Sequence, residues 1–405
     1  MTETPTLLIT LMGRDRPGVT TATFAALEHF GVEVLDNEQI ELRGRLELGI
    51  LVTVPRTPRD QARLTASVES AASRLGMDVE IVRGEGDNAR RREGRVHVTL
   101  LGRPLPPKAV SAITGRIADT GANIDRIVRM ARYPVTAIEF HVSGTDIVRL
   151  RALLAAEAAK QDVDVAVQNV GLLRQGRRLI VMDVDSTLVQ NEAIDMLAEH
   201  VGVGDQVAEV TERAMRGELD FEESLRSRVA LLAGLDASAL DKVYDALQLA
   251  PGARTLVRTL HRLGYRFAIV SGGFSQLTDR LAHDLAIDYA RANELEIVDG
   301  RLSGEIVGDV VDRAGKAQAL REFAEKVGVP EGSVIAIGDG ANDLDMLNAA
   351  GLGIAYNARP VVQQAADTSV NVPYLDAIMY LLGISREEIE AADAEAGIVT
   401  PSPPV

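Results

Sequence analysis

Two segments set 89 residues apart, Thr6–Arg14 (TLLITLMGR) and Arg95–Arg103 (RVHVTLLGR), share one design, an apolar strand that closes on Gly-Arg. Self-similarity at a fixed spacing means that the chain builds one module twice. After each strand, apolar residues recur at helical spacing: Val19, Phe24 and Leu27 in the first copy, Val110, Ile113 and Ile117 in the second. Gly31 and Gly121 come next, suited to the left-handed turn that ends a helix. Each copy then reads as two strands (VEVLDNEQIEL and LELGILVTV; NIDRIVRMA and TAIEFHVSG), a second helix and a last strand (MDVEIVR; VDVAVQNV). The spacing predicts βαββαβ over residues 1–86 and again over 95–174. Between them lies Gly84–Arg95 (GEGDNARRREGR), polar enough to be a solvated linker, and a second break, Arg174–Arg178 (RQGRR), sets the second copy off from the rest of the chain.

At 405 residues the chain exceeds what one hydrophobic core holds, and 46% hydrophobic with 25% charged residues is globular composition. The 59 acidic residues outnumber the 43 basic ones, leaving a net charge of −16 that repels nucleic-acid phosphates and anionic lipid. Neither nucleic acid nor membrane is expected as a partner. Without cysteine there is no disulfide, thiolate metal site or sulfur nucleophile, so any nucleophile is an oxygen or an amine. No apolar run approaches a bilayer span and the N-terminus lacks a basic signal region, so a soluble cytoplasmic protein is expected. The six histidines, His29, His97, His141, His200, His261 and His283, show no metal-ligand spacing in sequence; they read as structural or surface residues, and a zinc hydrolase is disfavoured.

From Arg178 onward the pattern changes to short apolar runs (RLIVMDV, YRFAIVSGG, SVIAIGDG, LGIAYN) separated by helical segments. That alternation predicts a parallel sheet with helices on both faces over residues 177–394. Residues 195–250 carry helical patterns with no comparable strand, such as FEESLRSRVALLAGL, and read as a helical insertion over the sheet. Residues 395–405, with three prolines, read as a loose tail.

The chemistry gathers where these strands end, which is where open α/β sheets bind ligands. Asp183 and Asp185 come directly after the LIVM run, and two carboxylates so close are costly unless a cation lies between them or one is protonated. Mg²⁺ answers that need. Ile337–Asp343 (IGDGAND) supplies more hard oxygens after another strand, and Ser271-Gly272-Gly273 offers a hydroxyl and backbone N–H groups for phosphate oxygens. Lys316 opens a helix in a chain with only five lysines against 38 arginines.

In this order, DxDxT, a serine, a lysine and GDGxND resemble the haloacid dehalogenase superfamily of phosphohydrolases, and within it the phosphoserine phosphatases, which Glu192, Phe221, Arg228 and SGGF at 271–274 also match. The βαββαβ pair, with the turn Gly13–Gly18 (GRDRPG), resembles the ACT domain, a ferredoxin-like module that binds amino acids. The resemblance implies a Rossmann-like domain with a helical cap, preceded by two ACT domains. It implies an Mg²⁺-dependent enzyme that hydrolyses O-phospho-L-serine through an aspartyl-phosphate, in the last step of serine biosynthesis. Asp183 would be the nucleophile and Asp185 the acid and base, with the metal on Asp183, the Asp185 carbonyl and Asp339, and Asp343 behind them. Ser271, Gly272, Lys316 and Asn342 would hold phosphate, while Glu192 and Arg228 would take the substrate's ammonium and carboxylate. Asp15 and Gly18 would serve a regulatory amino acid such as L-serine, with Asp15 as a helix N-cap the alternative; the second copy lacks both residues. A homodimer or higher oligomer is expected. Other readings are a phosphatase for another small phosphorylated amine or a phosphoprotein, and a non-catalytic sensor.

Overall fold

A computed structural model describes residues 5–86, 93–171, 174, 176 and 179–401. Residues 87–92 of the predicted linker and 175, 177 and 178 of the second break lie outside the described residues, as do the last four of the predicted tail, 402–405. Within the described part of that tail residues 395–399 are exposed, and Thr400 Oγ1 donates to Asp393 at 2.9 Å.

The first compact unit, Met1–Arg91, is one βαββαβ module. Strand β1 (Pro5–Arg14), helix α1 (Val19–Leu27), β2 (Val34–Leu42), β3 (Arg45–Thr53), α2 (Pro58–Leu75) and β4 (Asp78–Glu85) form an antiparallel sheet, order β2-β3-β1-β4, under two helices. Alternation along β1 buries Leu7, Ile9 and Leu11 against the helices, and turns Leu8, 43% exposed, to the other face. Thr57 caps α2 by accepting from Asp60 N–H at 3.1 Å, and Gly76 ends it in the left-handed region. Helix α1 stops at Leu27, short of Gly31, and Phe30 and Val32 turn in to pack on the core.

The second unit, Arg92–Val405, holds the second module and the larger sheet. Its β5 (Val96–Gly102), α3 (Pro107–Asp119), β6 (Asn123–Ala131), β7 (Thr136–Ser143), α4 (Ile147–Gln161) and β8 (Asp164–Asn169) repeat the first topology, order β6-β7-β5-β8. Here the outer sheet face is covered: Leu101, Ala131, Ala137 and Ala166 join the core that contains Leu375–Leu382. Polar groups seal this seam, with Asp164 accepting from Asn371 N–H and Nδ2 at 2.7 Å and Gln168 Nε2 donating to Leu381 O at 2.8 Å. Arg174 Nε also donates to Leu381 O, at 3.1 Å, while its Nη2 pairs with Glu139. Burial alone would raise the Glu139 carboxyl, but contacts with His141, His97 and Arg174 outweigh it and hold the group below the usual carboxylate range.

The larger sheet has the order β12-β11-β10-β9-β13-β14-β15. Its strands are β9 (Leu179–Met182), β10 (Arg266–Phe274), β11 (Tyr289–Val298), β12 (Arg301–Val307), β13 (Val334–Gly338), β14 (Leu352–Tyr356) and β15 (Thr368–Val370). All pairings are parallel except β11 with β12. Central β9 is apolar throughout because both its faces are covered, Ile180 and Met182 by one core, Leu179 and Val181 by the other. The polar strand β11, the alternating β12 and the three-residue β15 carry no such run and are not legible as strands from sequence. The helical insertion is four helices, α5 (Ala193–Val201), α6 (Gly204–Met215), α7 (Phe221–Ala230) and α8 (Ser238–Ala246), packed on Phe274, Leu277, Leu295, Leu302 and Ile306.

Candidate active site

The chain leaves β9 at Asp183 and turns within Val184–Leu188, where Ser186 takes φ 59°. The turn separates the two carboxylates that an extended chain would hold side by side. Asp183 Oδ1 meets Lys316 Nζ at 2.8 Å, while Asp185 turns the other way, accepting from Ala193 N–H at 2.9 Å and Ser271 Oγ at 3.1 Å. Burial, more than a neighbouring charge, raises the Asp185 carboxyl above its ordinary range. Burial first and Asp343 second raise Asp183 further, against the pull of Lys316.

Lys316 is no solvated helix-start lysine. It lies in the first turn of α11 (Arg313–Val327; α9, Ala253–Arg262, and α10, Ser275–Leu285, precede it) and is wholly buried, its Nζ bridging Asp183 at 2.8 Å and Asp343 at 2.7 Å. Burial opposes its charge, but the two carboxylates prevail and raise its pKa. Asp343 also accepts from Gly340 N–H at 2.9 Å, so each of its oxygens has a donor. Gly338 makes this approach possible, since a Cβ there would lie 2.5 Å from Asp343 Cγ. Asp339 accepts from Thr187 Oγ1 at 2.7 Å and is pushed up to about 6, chiefly by burial. Carboxylate oxygens of Asp183, Asp339 and Asp343 come within 4.8 Å of one another. Such a set of hard oxygens, with carboxyls driven toward protonation, fits Mg²⁺.

The cap closes the other side of the cleft, with Phe221, Leu225 and Arg228 facing Asp183, Lys316 and Asp339. Glu192, at the N-terminus of α5, accepts from Ser186 Oγ at 2.8 Å and is pushed up to about 7 by burial and then by Asp185. Arg228, in the last turn of α7, lines the cleft half-buried; among the described residues it has no ion-pair partner, only a 3.4 Å bond from Nε to Ser224 O. The ordinary helix ion pair between Glu192 and Arg228 is not formed. Phe221, Gly272 and Asn342 also line the space. Ser271 is fully buried, and its Oγ accepts from Gly273 N–H at 2.8 Å while donating to Asp185.

Thr187, the threonine of DxDxT, orients Asp339. One contributor carries no motif in the sequence: Asn293 on β11 holds the glycine turn, with Nδ2 donating to Gly272 O at 2.8 Å and Oδ1 accepting from Val311 N–H at 2.7 Å. Its burial, beside that of Leu295 in a strand whose other residues are half-buried or exposed, becomes visible only in the fold. In the first unit Asp15 and Gly18 are both exposed. The N-cap of α1 is Gly18, at φ 95°, and not Asp15, whose N–H donates to Gly44 O at 2.8 Å.

Among the described residues no helix is long and apolar enough to cross a membrane. A family model for haloacid dehalogenase-like hydrolases matches residues 180–348, and ACT-domain models match 5–82 and 96–168. The phosphoserine phosphatase of Streptomyces coelicolor is 58% identical over 395 residues, covering 97% of this chain and 96% of its own. A phosphoserine phosphatase of Mycobacterium tuberculosis is 51% identical over 390 residues, covering 96% and 95%. Among solved structures, a probable phosphoserine phosphatase from Vibrio cholerae superposes with a TM-score of 0.58 at 37% identity, over 74% of this chain and 88% of that one. A hydrolase of the same superfamily from Salmonella enterica gives 0.63 at 28% identity, over 71% and 98%.

Proposed function

The chain belongs to the phosphoserine phosphatase family of haloacid dehalogenase-like hydrolases, and from that premise we propose that it hydrolyses O-phospho-L-serine to L-serine and phosphate. The observation that carries the substrate is Arg228, a cleft guanidinium without an ion-pair partner among the described residues, facing the same space as Glu192. An amino acid's carboxylate and ammonium complement that pair. Lys316, Ser271, the Gly272 N–H and Asn342 would hold the phosphoryl oxygens.

Asp183 attacks phosphorus in line, its carboxylate oxygen forming the new P–O bond as the bond to the serine oxygen breaks. Asp185, whose raised pKa lets it carry a proton, gives that proton to the leaving alkoxide. It then takes one from the water that attacks the aspartyl-phosphate, releasing phosphate and restoring Asp183. Lys316, fixed by Asp343, neutralises charge beside the reacting carboxylate. Mg²⁺ held by Asp183, the Asp185 carbonyl and Asp339 would supply the positive charge that keeps Asp183 ionised and draws electron density from the phosphoryl oxygens.

Phosphate release from O-phospho-L-serine with Mg²⁺ tests the reading, and Asp183→Asn should abolish it. Arg228→Ala should depress kcat/KM on phosphoserine and leave phosphoethanolamine, which has no carboxylate, unaffected. Equal losses on both would favour a phosphorylated amine as substrate. We place this reaction last in serine biosynthesis, in a cytoplasmic homo-oligomer with domains at 1–86, 95–174 and 177–394. L-serine at the exposed Asp15–Gly18 turn would regulate it, and inhibition by serine unchanged in Gly18→Ala would reduce that regulation to product competition.

A further inference from the structure

We propose that His97, Glu139 and His141 form a binding site for a divalent transition metal of the zinc class, on the sheet of the second βαββαβ module and outside the phosphatase cleft. Strand register creates it. His97 on β5 pairs with His141 on β7, and Glu139, two residues before His141, points to the same face. His97 Nδ1 lies 3.2 Å and His141 Nε2 3.1 Å from one atom, Glu139 Oε1, and the three ligand atoms fall within 4.8 Å of one another. Metal–ligand bonds of about 2.0–2.2 Å in tetrahedral geometry place neighbouring ligand atoms about 3.3 Å apart. The observed separations match that edge.

Hydrogen bonding alone does not account for the cluster. His141 is aligned with Glu139, but His97 Nδ1 is buried and, among the described residues, has no hydrogen-bond partner despite its 3.2 Å approach. The imidazoles stand edge to face at 88°, centroids 4.5 Å apart, so their nitrogens converge without stacking. Arg174 engages Glu139 through Oε2 and leaves Oε1 to the histidines, the outer support that metal-bound carboxylates receive. Side-chain exposures of 15% for His97 and 21% for His141 leave an opening through which an ion and a completing water can enter. Two imidazoles and one carboxylate select zinc-class ions over Mg²⁺, which prefers oxygen alone.

Chelator-stripped full-length protein, held in saturating Mg²⁺ to fill the phosphatase site, should bind one equivalent of Co²⁺ with intense visible bands of tetrahedral coordination, displaced by Zn²⁺. The bands should persist in Asp339→Asn and weaken at least tenfold in affinity in a His97→Gln, His141→Gln double variant that keeps its phosphatase activity. Bands absent from the wild type, or lost in Asp339→Asn and kept in the double variant, overturn the proposal. Should the double variant not fold, wild-type crystals soaked in Zn²⁺ decide by anomalous scattering at the zinc edge. A peak among His97, Glu139 and His141 supports the site, and a peak confined to Asp183 and Asp339 refutes it.

Discussion

Glu192 is a carboxyl whose charge the fold resists: burial and Asp185 raise it from an ordinary 4.5 to about 7, against the pull of Ser186. A carboxyl raised on folding binds its proton more tightly in the native state, so its contribution to stability falls as pH climbs from about 4.5 to about 7. Without metal or substrate, the Tm of Glu192→Gln minus that of wild type should therefore grow across this window, as calorimetry would read. A difference that stays flat or shrinks would contradict the burial. At this scale sequence is a good guide to the acids, because carboxylates crowded at strand ends are chemically costly. It is a poor guide to Lys316, whose helix-start position looks solvated until the fold brings Asp183 and Asp343 around it. The motif marks Thr187 but not its pairing with Asp339, and Asn293 is silent because it acts on Gly272, distant in sequence.

Strand β13 ends on Gly338 so that the turn after it can fold Asp343 back against the strand's own backbone. Gly338→Ala would drive a methyl to 2.5 Å from Asp343 Cγ and push that carboxylate off Lys316. A displacement of about 1 Å in a catalytic support costs ~100-fold, so kcat should fall by that order with secondary structure intact. Steady-state kinetics alongside circular dichroism separates this outcome from unfolding. The apolar runs of β9, β10, β13 and β14 are legible because burial on both faces leaves no polar positions in the sheet's centre. The edge is not: β12 alternates buried and exposed residues and pairs antiparallel to β11.

Across the molecule, the two βαββαβ modules share a topology and differ in what their sheets face. The second rests on the larger sheet, with Arg174 joining Glu139 to the Leu381 carbonyl. Removing one member of a buried ion pair costs about 3–5 kcal/mol, so Arg174→Met should destabilise the protein by that order in chelator, measured by urea unfolding. Adding Glu139→Gln should restore part of the loss, since it removes the orphaned charge. The repeat is plain in the sequence because both strands carry the same inward alternation; the fate of the outward positions is not, because that depends on the neighbour.

Leu8 and His97 occupy corresponding places in the duplicated strand, as do Met12 and Leu101, yet Met12 is 37% exposed and Leu101 wholly enclosed. Duplication has thus left sister positions answerable to different judges. A charge introduced at Leu101 is rejected by the folding of the catalytic half, whereas one at Met12 falls on a position that is already part-exposed, so a saturation mutagenesis map of these sister positions should be lopsided, intolerant in the second copy and permissive in the first.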